Sequence, residues 1–169
     1  MQYENYNQLA DKIRQNHFLT GLIHYSNIIF TALGYIMYPA LLLKLAFEGS
    51  YKSLAICILV PGLSFLAVSV FRKLCHVKRP YEVYPITPLI KREKNGDSFP
   101  SRHTFSIFLI GGVWYIFNPL VGSIILTCGL FLGLIRVIGG VHYVKDILCG
   151  AALGLAASCL VSCLIKHII

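Results

Sequence analysis

The sequence predicts an all-α polytopic membrane bundle of about five transmembrane helices, preceded by an interfacial helix. Three observations carry this. Of 169 residues, 56% are apolar and only 13% charged, and mean hydropathy is +0.68, too oily for an ordinary soluble domain. The apolar residues fall in long continuous runs of membrane-crossing length, not in the short alternating segments of a β-barrel. A span in lipid must satisfy its own backbone hydrogen bonds, which favours helices. The length fits one membrane-embedded domain over residues 1–169.

Each element follows from its pattern. In residues 1–17, Tyr3, Tyr6, Leu9 and Ile13 recur at helical spacing among Glu4, Asp11, Lys12 and Arg14, as in a helix lying in the membrane interface. Residues 18–47 form one long run interrupted by Gly34 and Pro39, read as a single tilted or kinked span. His24 and Asn27 inside it are expected to pack and hydrogen-bond internally. A turn at Glu48-Gly49-Ser50 leads to a second span over 51–71. Residues 72–102 are basic and broken by Pro80, Pro85, Pro88, Gly96 and Pro100, and form one long loop of the kind that carries function. A third, shorter span covers 103–117. Asn118-Pro119 opens a fourth, which Gly139-Gly140 ends. The fifth runs from about Tyr143 to Leu164, and its Gly150-x3-Gly154-x3-Ser158 spacing gives a smooth face for close packing.

The formal net charge is +8, and eight of the fifteen Lys and Arg lie between Arg72 and Arg102. A basic stretch suits acidic headgroups, phosphate or nucleic acid. Nucleic acid is disfavoured because no soluble basic domain exists to carry it. The six cysteines form no CxxC pair and read as small buried hydrophobes rather than disulfides or zinc ligands. The polar first seventeen residues do not resemble a cleavable signal peptide.

The charges inside this oily chain are concentrated in three clusters: Arg72-x6-Arg79-Pro80, then Pro100-Ser101-Arg102-His103, then Arg136-x5-His142-x3-Asp146. With five spans, the end of the second, the start of the third, the end of the fourth and the start of the fifth share one membrane face. Hydropathy alone therefore brings the clusters together. Ionisable groups beside spans are costly and mark function by default. His142 and Asp146 lie four apart, so on a helix the carboxylate can fix one ring nitrogen and leave the other to attack. Ser101 suits a helix cap, whose amides favour anions. His103 can protonate a leaving oxygen and later deprotonate water. Arg72, Arg79 and Arg136 are forked donors matched to phosphate oxygens, and fixed cations there can replace a metal. A metal site at His142 and Asp146 would be opposed by the surrounding cations, so no metal or other cofactor is expected.

At these residues the chain resembles the type 2 phosphatidic acid phosphatase (PAP2) superfamily. That family's pattern is Lys-x6-Arg-Pro, Pro-Ser-Gly-His and Ser-Arg-x5-His-x3-Asp, and the match covers residues 72–146. The resemblance implies that His142 is the nucleophile forming a phosphohistidine, with Asp146 orienting it and His103 as general acid and base. It implies that Arg79, Arg136 and Ser101 bind phosphate, with the Arg102 backbone amide contributing and Arg72 in the place of the family's lysine. Three positions depart: Arg72 replaces Lys, with Lys73 adjacent; Arg102 replaces Gly; Ile135 replaces Ser. Altered rate or substrate preference is expected from these.

The function expected from the clusters and the resemblance is metal-independent hydrolysis of a lipid phosphate monoester or diphosphate, of the phosphatidic acid, phosphatidylglycerophosphate or undecaprenyl diphosphate class. Two alternatives are a non-catalytic protein that binds or moves an anionic lipid and a vanadate-dependent halide oxidase. Twelve of fifteen Lys and Arg fall on the site's face, and three (Lys44, Lys52, Lys166) on the other. The positive-inside rule would put that face in the cytoplasm. The resemblance implies an extracytoplasmic site on the cell membrane, and cations that serve phosphate are poor orientation signals, so the outward site is the expectation. The sequence leaves the particular lipid and the oligomeric state open.

Overall fold

The computed structural model describes residues 3–91 and 96–168, so Arg92 and Lys94 of the predicted basic loop lie outside the described residues. Its described residues are helical or irregular, in the order α1 (Tyr3–Gln15), α2 (His17–Phe47), α3 (Tyr51–Cys75), α4 (Pro80–Val83), α5 (Arg102–Phe117), α6 (Pro119–Ile138) and α7 (Val144–Ile168). The chain is an all-α integral membrane protein. Among the described residues, α2, α3, α6 and α7 are long and apolar enough to cross a membrane. The fifth expected span, α5, has 16 residues, about 24 Å of helix at ~1.5 Å per residue.

That shortness goes with position. α5 is the central helix, buried at nine positions from Thr104 to Trp114. The others wrap it and turn Ile29, Ile36, Leu59, Leu63, Leu120 and Leu134 outward, a continuous apolar surface suited to lipid. The glycine stripe of α7 lies against α5 inside the bundle. A methyl group at Gly150 would come within 2.6 Å of the Ser101 carbonyl oxygen, and one at Gly154 within 2.5 Å of that of Phe105. Small residues let two backbones touch, which holds helices together where lipid removes the hydrophobic drive.

Helix ends use local chemistry. Asn16 accepts from the amides of Phe18 and Leu19 to start α2, and Asn118 accepts from Val121 to start α6 with Pro119 in its first turn. α2 runs through Pro39 and α3 through Pro61 without ending. Pro61 cannot donate to the carbonyl four residues back, that of Cys57. The Tyr38 hydroxyl donates to it instead, at 3.0 Å, restoring a bond that lipid could not.

Two expectations need correcting. The 72–102 segment is not all loop: α3 continues to Cys75, ending where His76 turns left-handed with φ 42°, and α4 forms inside it. Only Cys57 among the cysteines is fully buried; Cys75, Cys159 and Cys163 are exposed. The expected interfacial helix is α1. Its Tyr6 and Ala10 pack on Ile86, Asn7 Nδ2 donates to the Pro85 carbonyl, and Arg14 donates to that of Thr87. α1 thus binds the loop beside the site as well as skirting the bundle. Burial pushes the Tyr6 hydroxyl above its ordinary pKa, so it stays neutral.

Candidate active site

The turn between α6 and α7 builds the first part of the site. Gly139 caps α6, and Gly140 takes φ 75°, a left-handed conformation open to glycine. The reversal sets His142 just before α7 rather than on it. Its pairing with Asp146 nonetheless forms: Nδ1 lies 3.2 Å from Asp146 Oδ2. Asp146 Oδ2 also accepts from the Tyr143 amide at 3.0 Å, so one carboxylate both caps the α7 start and orients the imidazole. A carboxylate on that side keeps the ring proton on Nδ1 and leaves Nε2 basic.

Ser98 completes this group, and sequence reasoning missed it. Its hydroxyl donates to Asp146 Oδ2 at 2.5 Å and lies 3.3 Å from His142 Nδ1. All three side chains are buried, where such bonds weaken little by competition with water. A lone serine in a polar loop carries no periodicity or spacing to single it out.

Arg72, in the last turn of α3, and Arg79, just before α4, both donate to backbone carbonyls. Arg72, expected to grip phosphate, directs Nη1 to the carbonyls of Ser98 and Pro100 and Nη2 to that of Asp97. It is a buried clamp on the segment that presents Ser98 and Ser101. A lysine carries its three donors on one nitrogen and lacks the two separated Nη groups used here. Arg79 donates from Nε to the Gly96 carbonyl and from Nη1 to that of Val141, each at 3.2 Å, tying the loop to the His142 turn. Glu82, also missed, accepts from the amides of Arg79 and Gly96 and so closes the loop on α4. Arg136 is buried at the end of α6, and its carbonyl accepts from the Val141 amide. Among the described residues, the buried charged side chains are Arg72, Arg79 and Arg136 against Asp146 alone, with His142 beside them. Such an excess of buried cations suits an anion.

Ser101 joins the same group from α5. Its amide donates to the Asp146 carbonyl at 3.0 Å, and its hydroxyl caps α5 by accepting from the Thr104 amide and hydroxyl. The structure thus brings together His142, Asp146, Ser101, Arg72, Arg79 and Arg136. Arg102 and His103, on another side of α5, line a cavity of about 420 Å³ between α2, α3, α5 and α6. Most of its wall is apolar, from Phe30 near the site to Ile110 deeper in the bundle.

The model of the PAP2 superfamily matches residues 51–168, which spans all three clusters. The chain belongs to the PAP2 superfamily. Its fold is similar to that of Aquifex aeolicus LpxE, with a TM-score of 0.71 at 22% identity over 95% of this chain and 93% of that one. It is also similar to the transmembrane PAP2-type phosphatidylglycerolphosphate phosphatase of Bacillus subtilis, with a TM-score of 0.62 at 21% identity over 99% and 95%. The bacitracin transport permease protein BcrC of Bacillus licheniformis is 35% identical over 81 residues, which are 47% of this chain and 39% of that protein. The chain therefore spans about two fifths of that curated relative. Against the PAP2 pattern, the departure at Arg72 now has a structural reading as a loop clamp, and the departure at Arg102 faces the cavity.

Proposed function

We propose that this PAP2 protein hydrolyses a lipid phosphate through a covalent phosphohistidine, without a metal. The observation that carries this reading is the buried chain Ser98–Asp146–His142 set among three buried arginines. In the reaction, Nε2 of His142 attacks phosphorus and forms a P–N bond. The P–O bond to the lipid breaks, and the leaving oxygen takes its electron pair and a proton from His103. Water then attacks phosphorus, His103 takes the proton back, and the P–N bond breaks to free phosphate and His142. Arg79, Arg136 and Ser101 hold the phosphate oxygens as negative charge spreads over them. Arg72 contributes by holding the loop carbonyls, and the Arg102 amide adds a donor at the start of α5. Substrates are expected from the phosphatidic acid, phosphatidylglycerophosphate or undecaprenyl diphosphate class, drawn from the bilayer with the tail in the cavity beside His103. The site faces outward from the cell membrane.

The purified protein should release phosphate from such lipids in EDTA, and vanadate should inhibit it. His142→Ala should lower turnover by about 10³-fold or more, and the unaltered protein, but not this variant, should carry acid-labile ³²P after a quenched turnover. Lipid binding with no phosphate release would instead favour an anionic-lipid carrier.

A further inference from the structure

The cavity holds one fixed charge that the hydrolytic steps above do not use: the Arg102 guanidinium. Arg102 stands exposed at the cavity's polar end, and its side chain makes no hydrogen bond or ion pair with the described residues. Arg72, Arg79 and Arg136 are buried and engaged with their surroundings; Arg102 has no such engagement. One polar group of α2 shares this cavity, and a second lies one turn before it. The Thr31 hydroxyl, which lines the cavity, is buried without a partner, and so is Oδ1 of Asn27 one turn earlier. Asn27 was expected to be satisfied within its helix. The register between α2 and α5 is set by Gly34 beside Ile110 and by the Trp114 indole donating to the Met37 carbonyl. Carried back along both helices, it puts Asn27 near the level of His103. Buried polar atoms without partners inside a membrane bundle are costly and call for an explanation.

Resting on the phosphatase reading, we infer that Arg102, in the cavity that Thr31 and His103 also line, binds a second anionic group that stays with the lipid: the inner phosphate of a lipid diphosphate. Position decides between substrate classes. His103 protonates the leaving oxygen, so its side of the phosphate is the leaving-group side, and Arg102 is its neighbour at the cavity mouth. Cleavage of a diphosphate breaks the bridging P–O bond and expels a lipid monophosphate, whose charge a guanidinium there stabilises. Cleavage of phosphatidic acid expels a neutral alcohol and leaves Arg102 nothing to hold, and the phosphodiester that phosphatidylglycerophosphate retains lies a whole glycerol away from the bond that breaks, whereas the inner phosphate of a diphosphate is directly attached to it. The glycine that the PAP2 pattern has at this position offers no side chain for the purpose.

Farnesyl diphosphate and farnesyl monophosphate share one tail and differ only in the second phosphate. Purified protein in detergent micelles should show a higher kcat/KM for the diphosphate. Arg102→Gly should cut the diphosphate-to-monophosphate ratio about tenfold or more, the range of one charge-assisted contact, and Arg102→Lys should restore part of it. An active Arg102→Gly with an unchanged ratio, or equal losses on both substrates, overturns this assignment alone. Absence of phosphate release from both farnesyl substrates by an unaltered protein that hydrolyses phosphatidic acid or phosphatidylglycerophosphate overturns this assignment alone, and absence of release from all four overturns the phosphatase reading with it.

Discussion

Ser98 is the side chain whose removal separates orientation from chemistry. It touches Asp146 and His142 but neither attacks nor transfers a proton in the proposed reaction. Ser98→Ala should lower kcat by roughly 10- to 100-fold, the usual effect of losing an outer partner of a catalytic group. KM should change little, and the phosphohistidine should still form; an unchanged kcat would remove Ser98 from the site. Arg72 belongs to the same scale but acts on stability. Arg72→Met leaves the carbonyls of Asp97, Ser98 and Pro100 buried without their donor and should cost at least about 2 kcal/mol, read as a fall in Tm in detergent. The sequence made His142, Asp146, His103 and the arginines visible because charged residues stand out against apolar runs. It could not show where the forks point. Arg72 and Arg136 look alike in a string, and only the packed loop turns the first onto backbone carbonyls.

At the scale of elements, the apolar runs were readable because membrane spans need length and little else. What hydropathy could not reveal is order in depth. α5 is not the most apolar helix, yet it is the central one, and the Gly150 and Gly154 face of α7 lies flush against it. Gly154→Ala should therefore destabilise by about 1–3 kcal/mol through overpacking, whereas alanine at Gly62, which has nothing within 4 Å, should be nearly neutral; a thermal-shift pair in one detergent tests both. The extension of α3 to Cys75 escaped notice because Arg72 and Lys73 look like loop residues, although basic side chains suit the last turn of a helix. α1 makes its own prediction. It holds residues 85–87 by two side-chain donors, so Ala10→Glu, which puts a charge in its buried face, should free that stretch. Hydrogen exchange at residues 84–91 should rise while the helices of the bundle stay protected.

For the whole molecule, the threading of α2, α3, α5, α6 and α7 puts the loop clusters on one face and the C-terminus on the opposite one. An outward site then requires a cytoplasmic C-terminus. A green fluorescent protein fused after Ile169 should fluoresce, and alkaline phosphatase fused there should stay inactive; the reverse would turn the site inward, as the lysine and arginine count alone suggests. The convergence of the clusters was legible because alternation of spans is nearly forced once their number is known. The cavity was not, since a void is made by side chains from α2, α3, α5 and α6 meeting across large separations in sequence.

Tyr38 ties this void to the backbone around it. The ring is a wall shared by the main cavity and a smaller one of about 220 Å³ next to it, while its hydroxyl is the staple that closes the gap left by Pro61. Girth and cohesion are therefore a single variable in this protein. In the proposed reaction, a lipid chain thick enough to push the ring aside would also break the hydrogen bond that joins α2 to α3.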